Sequence, residues 1–550
     1  MPMFSVVIPT RKRPDTLRQA LRTVAAQEER DLEILVHESG DDPATTSVLA
    51  EFDDPRIRLV KTVEPVWMTE NWERALRCAS GEYIFFLGDD DGLLPNACAI
   101  ARHILNRQPA EILSWRPALY FWPNYFEAHL QNMMSAVYGT DLKCILKHSY
   151  PALHSAYHFR EYYIELPMIY NSFVARALVE RIYESRGRYF VGSMPDVASG
   201  VVNLCSASQY LRCNRPLSVS GVSRHSTGHR CFGGKPELYF EAMSSVLGHI
   251  QIHPTMVYSH NLALAIGNEL IVAKAELFPD AEPELDYAAM LQGALRSLDD
   301  IPDLYDVGLA HCRSIAEKNG INFDENDVPP RKPPPLRPRP AHYETCPGTI
   351  FHMMDGQSAA VANVADATRA LDSILPEPVF DSFHVQVEPS RIEAIALDAF
   401  TPAVLDFSAS GNGALCLGLG WSDIENWGVW SVGPRSELSF PLVGQFCGSL
   451  RIAIHGQMFH PPRTLRLRIE HESRVLFEHE AQVLTEAVVL DLGPIKVPRT
   501  ISMKLRAFFA IDHCGSPAEL GLNDDIRKIG LGLHRIDISA VPETPPADDF

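Results

Sequence analysis

The sequence predicts an N-terminal α/β domain with a Rossmann-like, mostly parallel sheet, a helical extension and a C-terminal all-β sandwich. In the first region, apolar segments of strand length alternate four times with helical segments over about 90 residues, as in a parallel sheet covered on both faces. In residues 235–320, apolar side chains recur at helical spacing. In residues 380–540, short segments alternate apolar and polar residues, which is typical of a β-sandwich.

The first region contains four predicted strands. They are FSVVIPT (4–10), LEILVHES (32–39), RIRLVKTV (56–63) and EYIFFLGDDD (82–91). Helical spacing follows the first strand at Leu17, Leu21 and Val24, and it precedes the fourth strand at Trp72, Ala75 and Leu76. Because ligands bind at the carboxyl ends of parallel strands, the side chains that end these strands are expected to converge on one crevice.

Changes in composition divide the chain into segments. The segment VPPRKPPPLRPRPAH is rich in proline and basic residues, which predicts an extended linker; contact with anionic lipid is the alternative. The predicted segments are an α/β domain at 1–232, a helical extension at 233–325, the linker at 326–347, a helical connector at 348–379 and the β-sandwich at 380–550.

Charge and cysteine usage limit the classes of function. The net charge of -20 argues against a nucleic-acid partner, although a local pocket can still attract a polyanionic ligand. The 11 cysteines include no C-x-x-C pair, which predicts reduced thiols in a cytoplasmic protein rather than disulfides or a zinc site. No leader sequence and no membrane-spanning apolar run is recognisable, so we expect a soluble protein; docking at the inner face of the membrane stays open.

Three consecutive aspartates follow the fourth predicted strand, in the stretch FFLGDDDGLLP. Carboxylates at this spacing repel one another and are costly to bury without a positive partner. Hard divalent cations such as Mg²⁺ or Mn²⁺ prefer carboxylate oxygens and bridge them to substrate phosphates. The run therefore predicts either a cation and phosphate site or a solvated turn.

Three stretches in order resemble family 2 glycosyltransferases with the GT-A fold: FSVVIPTRKRPDTLRQALRTVAAQ, ILVHESGDD and GEYIFFLGDDDGLLP. The resemblance covers roughly residues 3–230. It implies an inverting transferase that moves a sugar from a nucleotide-sugar donor, by default a UDP-sugar, to a glycan or lipid-linked acceptor. It also implies Mn²⁺ or Mg²⁺ as cofactor and a role in surface-polysaccharide synthesis.

The resemblance assigns donor-binding residues one by one. Pro9, Thr10 and Arg11 flank the nucleoside, and Arg13 belongs to the same donor site. Glu38 stands where the family usually has Asp; the longer side chain leaves the nucleoside contact open to Asp41 or Asp42. Asp89 and Asp90 face the donor, and Asp91 is expected to bind the metal. The alternative for Thr10 and Glu38 is ordinary turn chemistry.

An inverting transfer needs a general base, which the family places at the start of a helix near the acceptor. The segment GSMPDVASGVVN (192–203) fits, because Pro195 and Asp196 open a stretch of helical spacing. Asp196 is therefore the predicted catalytic base. The alternative is that Asp196 only stabilises the positive end of a helix.

Other residues in this region have weaker assignments. His225 and His229, in the loop SGVSRHSTGHR, are candidates to complete the metal site, with Arg224 or Arg230 near phosphate. Asn71 is expected to reach the donor, whereas Trp72 is expected to pack in the core.

The C-terminal region resembles an accessory β-sandwich of bacterial polysaccharide-biosynthesis proteins. Trp421, Trp427 and Trp430 are either a stacking platform for sugar rings or part of the sandwich core, and the core is favoured. Two other functions stay open for the whole chain: a nucleotidyltransferase, which the glycine-free PTRKRP loop disfavours, and a non-catalytic carbohydrate-binding protein. A homo-oligomer formed through residues 235–320 also stays open.

Overall fold

The computed structural model forms two compact units: Met1–Tyr343 with Ile350–Glu388, and Glu344–Thr349 with Pro389–Phe550. The finer division into five segments stays a prediction. The structure describes residues 2–64, 66–226, 250–281, 283–300, 302–323, 328–331, 336–346, 348–387, 395–396, 403–408, 413–417, 420–422, 425–433, 435–443, 449–471, 474–498, 502–512, 514–518, 520 and 527–541.

The first unit begins with the predicted alternation of strands and helices. Its elements are β1 (Phe4–Thr10), α1 (Pro14–Ala25), β2 (Leu32–Ser39), α2 (Pro43–Leu49), β3 (Ile57–Thr62), α3 (Met68–Cys78), β4 (Tyr83–Phe86), β5 (Gly92–Leu93) and α4 (Ala97–Arg107). All seven residues of β1 are buried, as expected for a central strand covered on both faces. The fourth strand ends at Phe86, so the aspartates lie in the turn that follows rather than in the strand.

The unit continues with shorter strands and two further groups of helices. These elements are β6 (Ile112–Trp115), β7 (Ala118–Phe121), β8 (Met133–Gly139), β9 (Lys143–His148), α5 (Ser149–Tyr157), β10 (Ser172–Ala175), α6 (Arg176–Arg186), α7 (Pro195–Ser206), β11 (Gln209–Cys213), β12 (Ser218–Val222), α8 (Leu262–Leu277), α9 (Tyr287–Arg296), α10 (Tyr305–Lys318), β13 (Ala341–Cys346), β14 (Thr349–Asp355), α11 (Val364–Asp372) and β15 (His384–Val387).

Two sheets organise this unit. The larger has the order β15-β9-β11-β6-β10-β4-β1-β2-β3, and the smaller has the order β13-β14-β8-β7-β12-β5. Strands β4, β1, β2 and β3 run parallel, whereas β10 is antiparallel to both of its neighbours. The large sheet is therefore mixed, and its parallel part carries the ends of β1, β2 and β4 to one edge, as predicted.

The helices α8–α10 share a hydrophobic core with the α/β part. The same core contains Val201 of α7, Leu270 of α8, Met290 of α9 and Cys312 of α10. The extension is thus packed against the helix that carries the predicted base. None of the helices in the described ranges combines the length and the apolar character needed to cross a bilayer.

The second unit is strand-rich, as predicted. Its strands are β16 (Ile395–Ala396), β17 (Ala403–Asp406), β18 (Val429–Val432), β19 (Arg435–Val443), β20 (Ser449–Met458), β21 (Arg463–His471), β22 (Arg474–Val483), β23 (Ala487–Lys496), β24 (Ser502–Ile511) and β25 (Ile529–Ala540). They form two sheets, β16-β19-β24-β21-β22 and β17-β25-β20-β23, with β18 paired to β25. Apolar side chains of both sheets, such as Phe440, Leu505, Ile454 and Leu533, form one core.

Candidate active site

The three aspartates after β4 form a buried carboxylate turn, Asp89–Asp91. Their exposed fractions are 3%, 6% and 1%, which excludes a solvated surface turn. The turn lies at the carboxyl end of β4, beside the end of β1, where a parallel sheet places its ligands. Each of the three carboxylates has different partners.

Asp89 is held by the segment that follows β1. Thr10 donates its hydroxyl to Asp89 Oδ2 at 2.7 Å, and Arg13 Nη1 lies 3.0 Å from Asp89 Oδ1. The nearby carboxylates, Asp89 most strongly, raise the pKa of Arg13. Two predicted donor residues, Thr10 and Arg13, therefore contact the carboxylate turn directly.

Asp90 is held by the segment after β12. Ser223 donates its hydroxyl to Asp90 Oδ2 at 2.7 Å, and Trp122 Nε1 donates to the Asp90 carbonyl oxygen at 3.0 Å. Burial, followed by repulsion from Asp89, raises the pKa of Asp90 to about 6, while Arg13 and Ser223 act in the opposite direction. Asp90 therefore changes its charge near neutral pH.

Asp91 has both oxygens occupied by hydrogen bonds within the protein. The backbone amide of Gly221 donates to Oδ1 at 2.6 Å and that of Gly88 donates to Oδ2 at 2.9 Å. The Tyr170 hydroxyl also donates to Oδ2. Burial, followed by repulsion from Asp90, raises the pKa of Asp91 well above its ordinary value. These hydrogen bonds make Asp91 the anchor of the turn, and its assignment as the metal ligand stays a prediction.

The chemistry of the turn fits a divalent cation. Three neighbouring carboxylates are removed from water, and burial, followed by repulsion from the neighbouring aspartate, raises the pKa of Asp90 and of Asp91. Carboxylate oxygens are the ligands that Mg²⁺ and Mn²⁺ prefer. Within the described ranges, no group of three or more His, Cys, Asp or Glu side chains is arranged around a single point.

Glu38 points into the protein. It is completely buried, and its Oε1 accepts the Asp42 amide at 2.9 Å and the Thr45 hydroxyl at 3.0 Å, at the start of α2. Burial raises its pKa. Asp41 and Asp42 are the alternatives for the nucleoside contact, and both have other partners. Asp41 pairs with Lys61 at 2.8 Å, and Asp42 caps α2.

The other predicted donor residues differ in exposure. Pro9 is buried within β1, and Arg11 is exposed beyond its end. Asn71 accepts a 2.7 Å hydrogen bond from Nδ1 of His37, a buried residue that the sequence analysis did not single out. Trp72 lies in the core, as predicted, with ring centroids 5.1 Å from Phe86.

The predicted histidines of the metal site are only partly placed. His225 is exposed, and its backbone amide donates to Ser223 Oγ at 3.1 Å, next to Asp90. Arg224 is also exposed. His229 and Arg230 lie outside the described residues.

Asp196 opens α7, as predicted, directly after Pro195 at the first position. The side chain is half-buried, and burial raises its pKa above the ordinary range. The segment before β10 links this helix to the carboxylate turn. Ile169 donates its amide to Ser199 Oγ at 3.0 Å, one turn beyond Asp196, and the next residue, Tyr170, binds Asp91.

Residues 5–173 match the family model for glycosyl transferase family 2. These residues therefore form a glycosyltransferase family 2 domain. One curated relative is a GalNAc(5)-diNAcBac-PP-undecaprenol beta-1,3-glucosyltransferase of Campylobacter jejuni, 31% identical over 122 residues, 20% of this chain and 37% of the relative. The chain thus spans little more than a third of the length of that relative.

Two solved structures show a weak similarity in fold to this chain. Staphylococcus aureus TarS 1–349, in complex with UDP-GlcNAc, has a TM-score of 0.31 and 12% identity, covering 59% of this chain and 93% of that chain. The mannosyltransferase PcManGT from Pyrobaculum calidifontis, in complex with GDP-Man and Mn²⁺, has a TM-score of 0.32 and 19% identity. The match covers 58% of this chain and 87% of that chain. Scores of this size do not define equivalent residues.

Several residues of this candidate site escaped the sequence analysis. Ser223, Trp122 and Tyr170 bind the carboxylate turn from segments that lie far away along the chain. Glu269 of α8 lies near Asp196, whose charge helps to raise the pKa of Glu269. These contacts depend on tertiary packing, so local sequence patterns carry no signal for them, although a polar residue within the apolar stretch of α8 is unusual.

The tryptophans of the second unit divide into two groups. Trp421 packs edge-on against Phe509 of the core and donates Nε1 to the Glu437 carbonyl at 2.7 Å. Trp427 and Trp430 pack against each other, with ring centroids 5.0 Å apart, and are not part of that core. A sugar-stacking role for these two stays a hypothesis.

Proposed function

We propose that this chain is an inverting, metal-dependent glycosyltransferase that moves a sugar from a nucleotide-diphosphate donor to a hydroxyl acceptor. The observation that carries the proposal is the buried carboxylate turn at the ends of parallel strands, in a chain of family 2. A UDP-sugar is the default donor. Family membership favours this reaction over nucleotidyl transfer.

The carboxylate turn is the proposed donor site. Asp89, oriented by Thr10 and Arg13, would face the ribose of the nucleotide, and Asp90, the least buried of the three at 6% exposed, would bind the cation. Mg²⁺ usually takes one or two protein carboxylates, with water and substrate phosphates supplying the remaining ligands. Bound there, a cation neutralises the developing charge of the leaving diphosphate. Asp91 keeps the turn in shape.

Asp196 is the proposed general base. An acceptor hydroxyl attacks the anomeric carbon of the donor, a new carbon–oxygen bond forms, and the bond to the diphosphate breaks. Asp196 takes the hydroxyl proton, and the nucleoside diphosphate leaves with the electron pair of the broken bond. A half-buried carboxylate whose pKa is raised by burial is a stronger proton acceptor than a solvated one.

The acceptor is proposed to be a glycan or a lipid-linked glycan in surface-polysaccharide synthesis. The name of the Campylobacter relative describes an undecaprenol-linked substrate, which supports an acceptor of this class. Such an acceptor would require this chain to dock at the inner face of a membrane as a peripheral protein.

The test is a screen of UDP-, GDP- and dTDP-sugars with Mn²⁺ or Mg²⁺, measuring binding and release of the free nucleotide. We expect one donor to bind and turn over only with metal, Asp90→Asn to weaken binding strongly and abolish turnover, and Asp196→Asn to keep binding but lose turnover. Asp31→Asn, which changes an exposed carboxylate paired with Arg102, is the matched control. Binding without turnover in the wild type would indicate a carbohydrate-binding protein, and no binding at all would refute the donor site.

A further inference from the structure

The segment 189–194, which precedes Asp196 and leads into α7, is bound on one side by α3. Glu73 Oε2 accepts the backbone amides of Tyr189 and Phe190 at 3.1 and 3.0 Å. One turn earlier in the helix, Thr69 donates its hydroxyl to the Gly192 carbonyl at 2.8 Å. The backbone that leads into α7 is therefore fixed at several points before Asp196 begins the helix.

The same segment is held from the other side by Glu269 of α8. Glu269 is only 1% exposed, and its Oε2 accepts the Ser193 amide at 3.1 Å. Its Oε1 is buried and has no hydrogen-bond partner among the described residues. Gly192 makes this approach possible, since it adopts a φ of +68° and a Cβ there would lie 1.8 Å from Glu269 Oε1. The absence of a side chain at Gly192 therefore leaves the space that the buried Glu269 carboxyl group occupies.

We propose that Glu269 is a positioning residue for Asp196, acting through the turn Gly192–Met194. Ser193 lies three residues before Asp196, so a hydrogen bond to its amide sets where α7 begins and where the base points. This inference rests on the proposed role of Asp196 as the general base. No residue of the donor site takes part in it.

The charge state of Glu269 gives the proposal its signature. Burial most strongly, together with the charges of Asp196 and Glu276, raises the pKa of Glu269 to about 8 against the opposing effect of the backbone amides of Ser193 and Met194. Near neutral pH, Glu269 is therefore a neutral acid, and Asp196 can ionise without a second charge beside it. Above about pH 8, Glu269 ionises and places a charge in a buried site. This charge destabilises the turn Gly192–Met194 in the conformation described here.

Two substitutions separate shape from charge. Glu269→Gln keeps the size and an acceptor oxygen for Ser193 but cannot ionise, whereas Glu269→Ala removes both. We expect Glu269→Ala to lower kcat by about 10- to 100-fold with little change in the KM for the donor, as when a catalytic group is displaced by about 1 Å. We expect Glu269→Gln to keep kcat within about threefold and to lose the fall in kcat that the wild type shows above about pH 8.

The assay uses the full chain and the donor that turns over in the screen, across a pH series. Infrared difference spectra, which need no ligand, should show a protonated carboxyl band in the wild type that disappears above about pH 8 and is absent from Glu269→Gln. Glu284→Gln is the matched control. The exposed Glu284 carboxylate pairs with Lys274, which lies in α8 like Glu269, and this pair is separate from the contact of Glu269 with the turn. Its pH profile should equal that of the wild type.

Two results overturn the inference: full kcat in Glu269→Ala, or the same pH profile and infrared band in Glu269→Gln as in the wild type. Asp196→Asn distinguishes this failure from failure of the proposed function. If Asp196→Asn keeps full turnover, the assignment of the base is wrong. If it abolishes turnover while the Glu269 variants behave as the wild type, only the positioning role is wrong.

Discussion

Donor binding should weaken steeply between pH 7 and pH 5 because Asp90 takes up a proton in that range. Burial and the neighbouring Asp89 raise the pKa of Asp90 to about 6, against an ordinary value of 3.8. The sign follows from the charge: an acid with a raised pKa loses its charge at a higher pH than a solvated one. A cation bound to Asp90 needs the ionised form, so acidification should release it.

The size of the effect follows from the titration of one group. With a pKa of about 6, Asp90 is about 90% ionised at pH 7 and about 10% ionised at pH 5, so the affinity should fall about tenfold. A carboxylate with the ordinary pKa of 3.8 would stay more than about 90% ionised at pH 5 and give almost no change. The two cases are therefore easily distinguished.

The assay is calorimetric titration of the full chain with the sugar nucleotide found in the screen, at saturating Mn²⁺ and several pH values. Sugar nucleotides suit this test because their diphosphate takes up no proton in the range. Ser223→Ala removes a hydrogen bond to the ionised carboxylate, and such bonds contribute about 1.5–3 kcal/mol. The midpoint should therefore move upward by about one pH unit or more. Asp90→Asn should bind weakly at every pH.

Equal affinity at pH 5 and pH 7 would refute this reasoning. The same slope in Asp90→Asn as in the wild type would also refute it, because the titrating group would then lie elsewhere. An unchanged midpoint in Ser223→Ala would show that the Ser223 hydroxyl does not stabilise the charged form.

Three substitutions test the packing around the site. Gly221→Ala should abolish donor binding and lower the melting temperature, because its Cβ would lie 1.9 Å from the Asp90 carbonyl oxygen and displace the carboxylate turn. Gly293→Ala, in α9, meets only ordinary contacts at 3.7 Å and should raise the free energy of unfolding by about 0.5–1 kcal/mol in denaturant titrations. Trp72→Ala should lower that free energy by about 3–5 kcal/mol, since the ring is 8% exposed and packs against Phe86. A Gly221→Ala variant that binds donor normally, a Gly293→Ala variant that loses stability, or a Trp72→Ala variant as stable as the wild type would contradict these expectations.

Much of the fold was predictable because its signals are local. The strands β1, β2 and β3 appear as apolar runs, and the helix α7 begins at Pro195, a residue whose fixed φ suits the first turn. The predicted helical connector at 348–379 is helical only over Val364–Asp372, because Asn363 caps the start of that helix. The Asn363 side chain accepts a hydrogen bond from the Asp366 amide. The spacing of apolar residues does not reveal this capping interaction.

The roles within the carboxylate turn were less predictable. The sequence shows three equivalent aspartates, and their differences arise only when the turn folds. The backbone of the turn directs Asp91 toward the amides of Gly88 and Gly221, Asp89 toward Thr10 and Asp90 toward Ser223. Thr10 lies 79 residues from Asp89 and Ser223 lies 133 residues from Asp90 along the chain. No local pattern can assign partners at these separations.

The proposed base and the proposed donor site are positioned by different elements of the fold. Asp89–Asp91 follow a central strand, so the sheet fixes them once β1 and β4 pair. Asp196 begins a helix, and its position depends on how the preceding turn is held. That task falls to side chains of two other helices, Thr69 of α3 and Glu269 of α8. The helical extension therefore holds the turn that precedes Asp196 through Glu269, and a variant that loosens this contact should lower turnover before it lowers donor affinity.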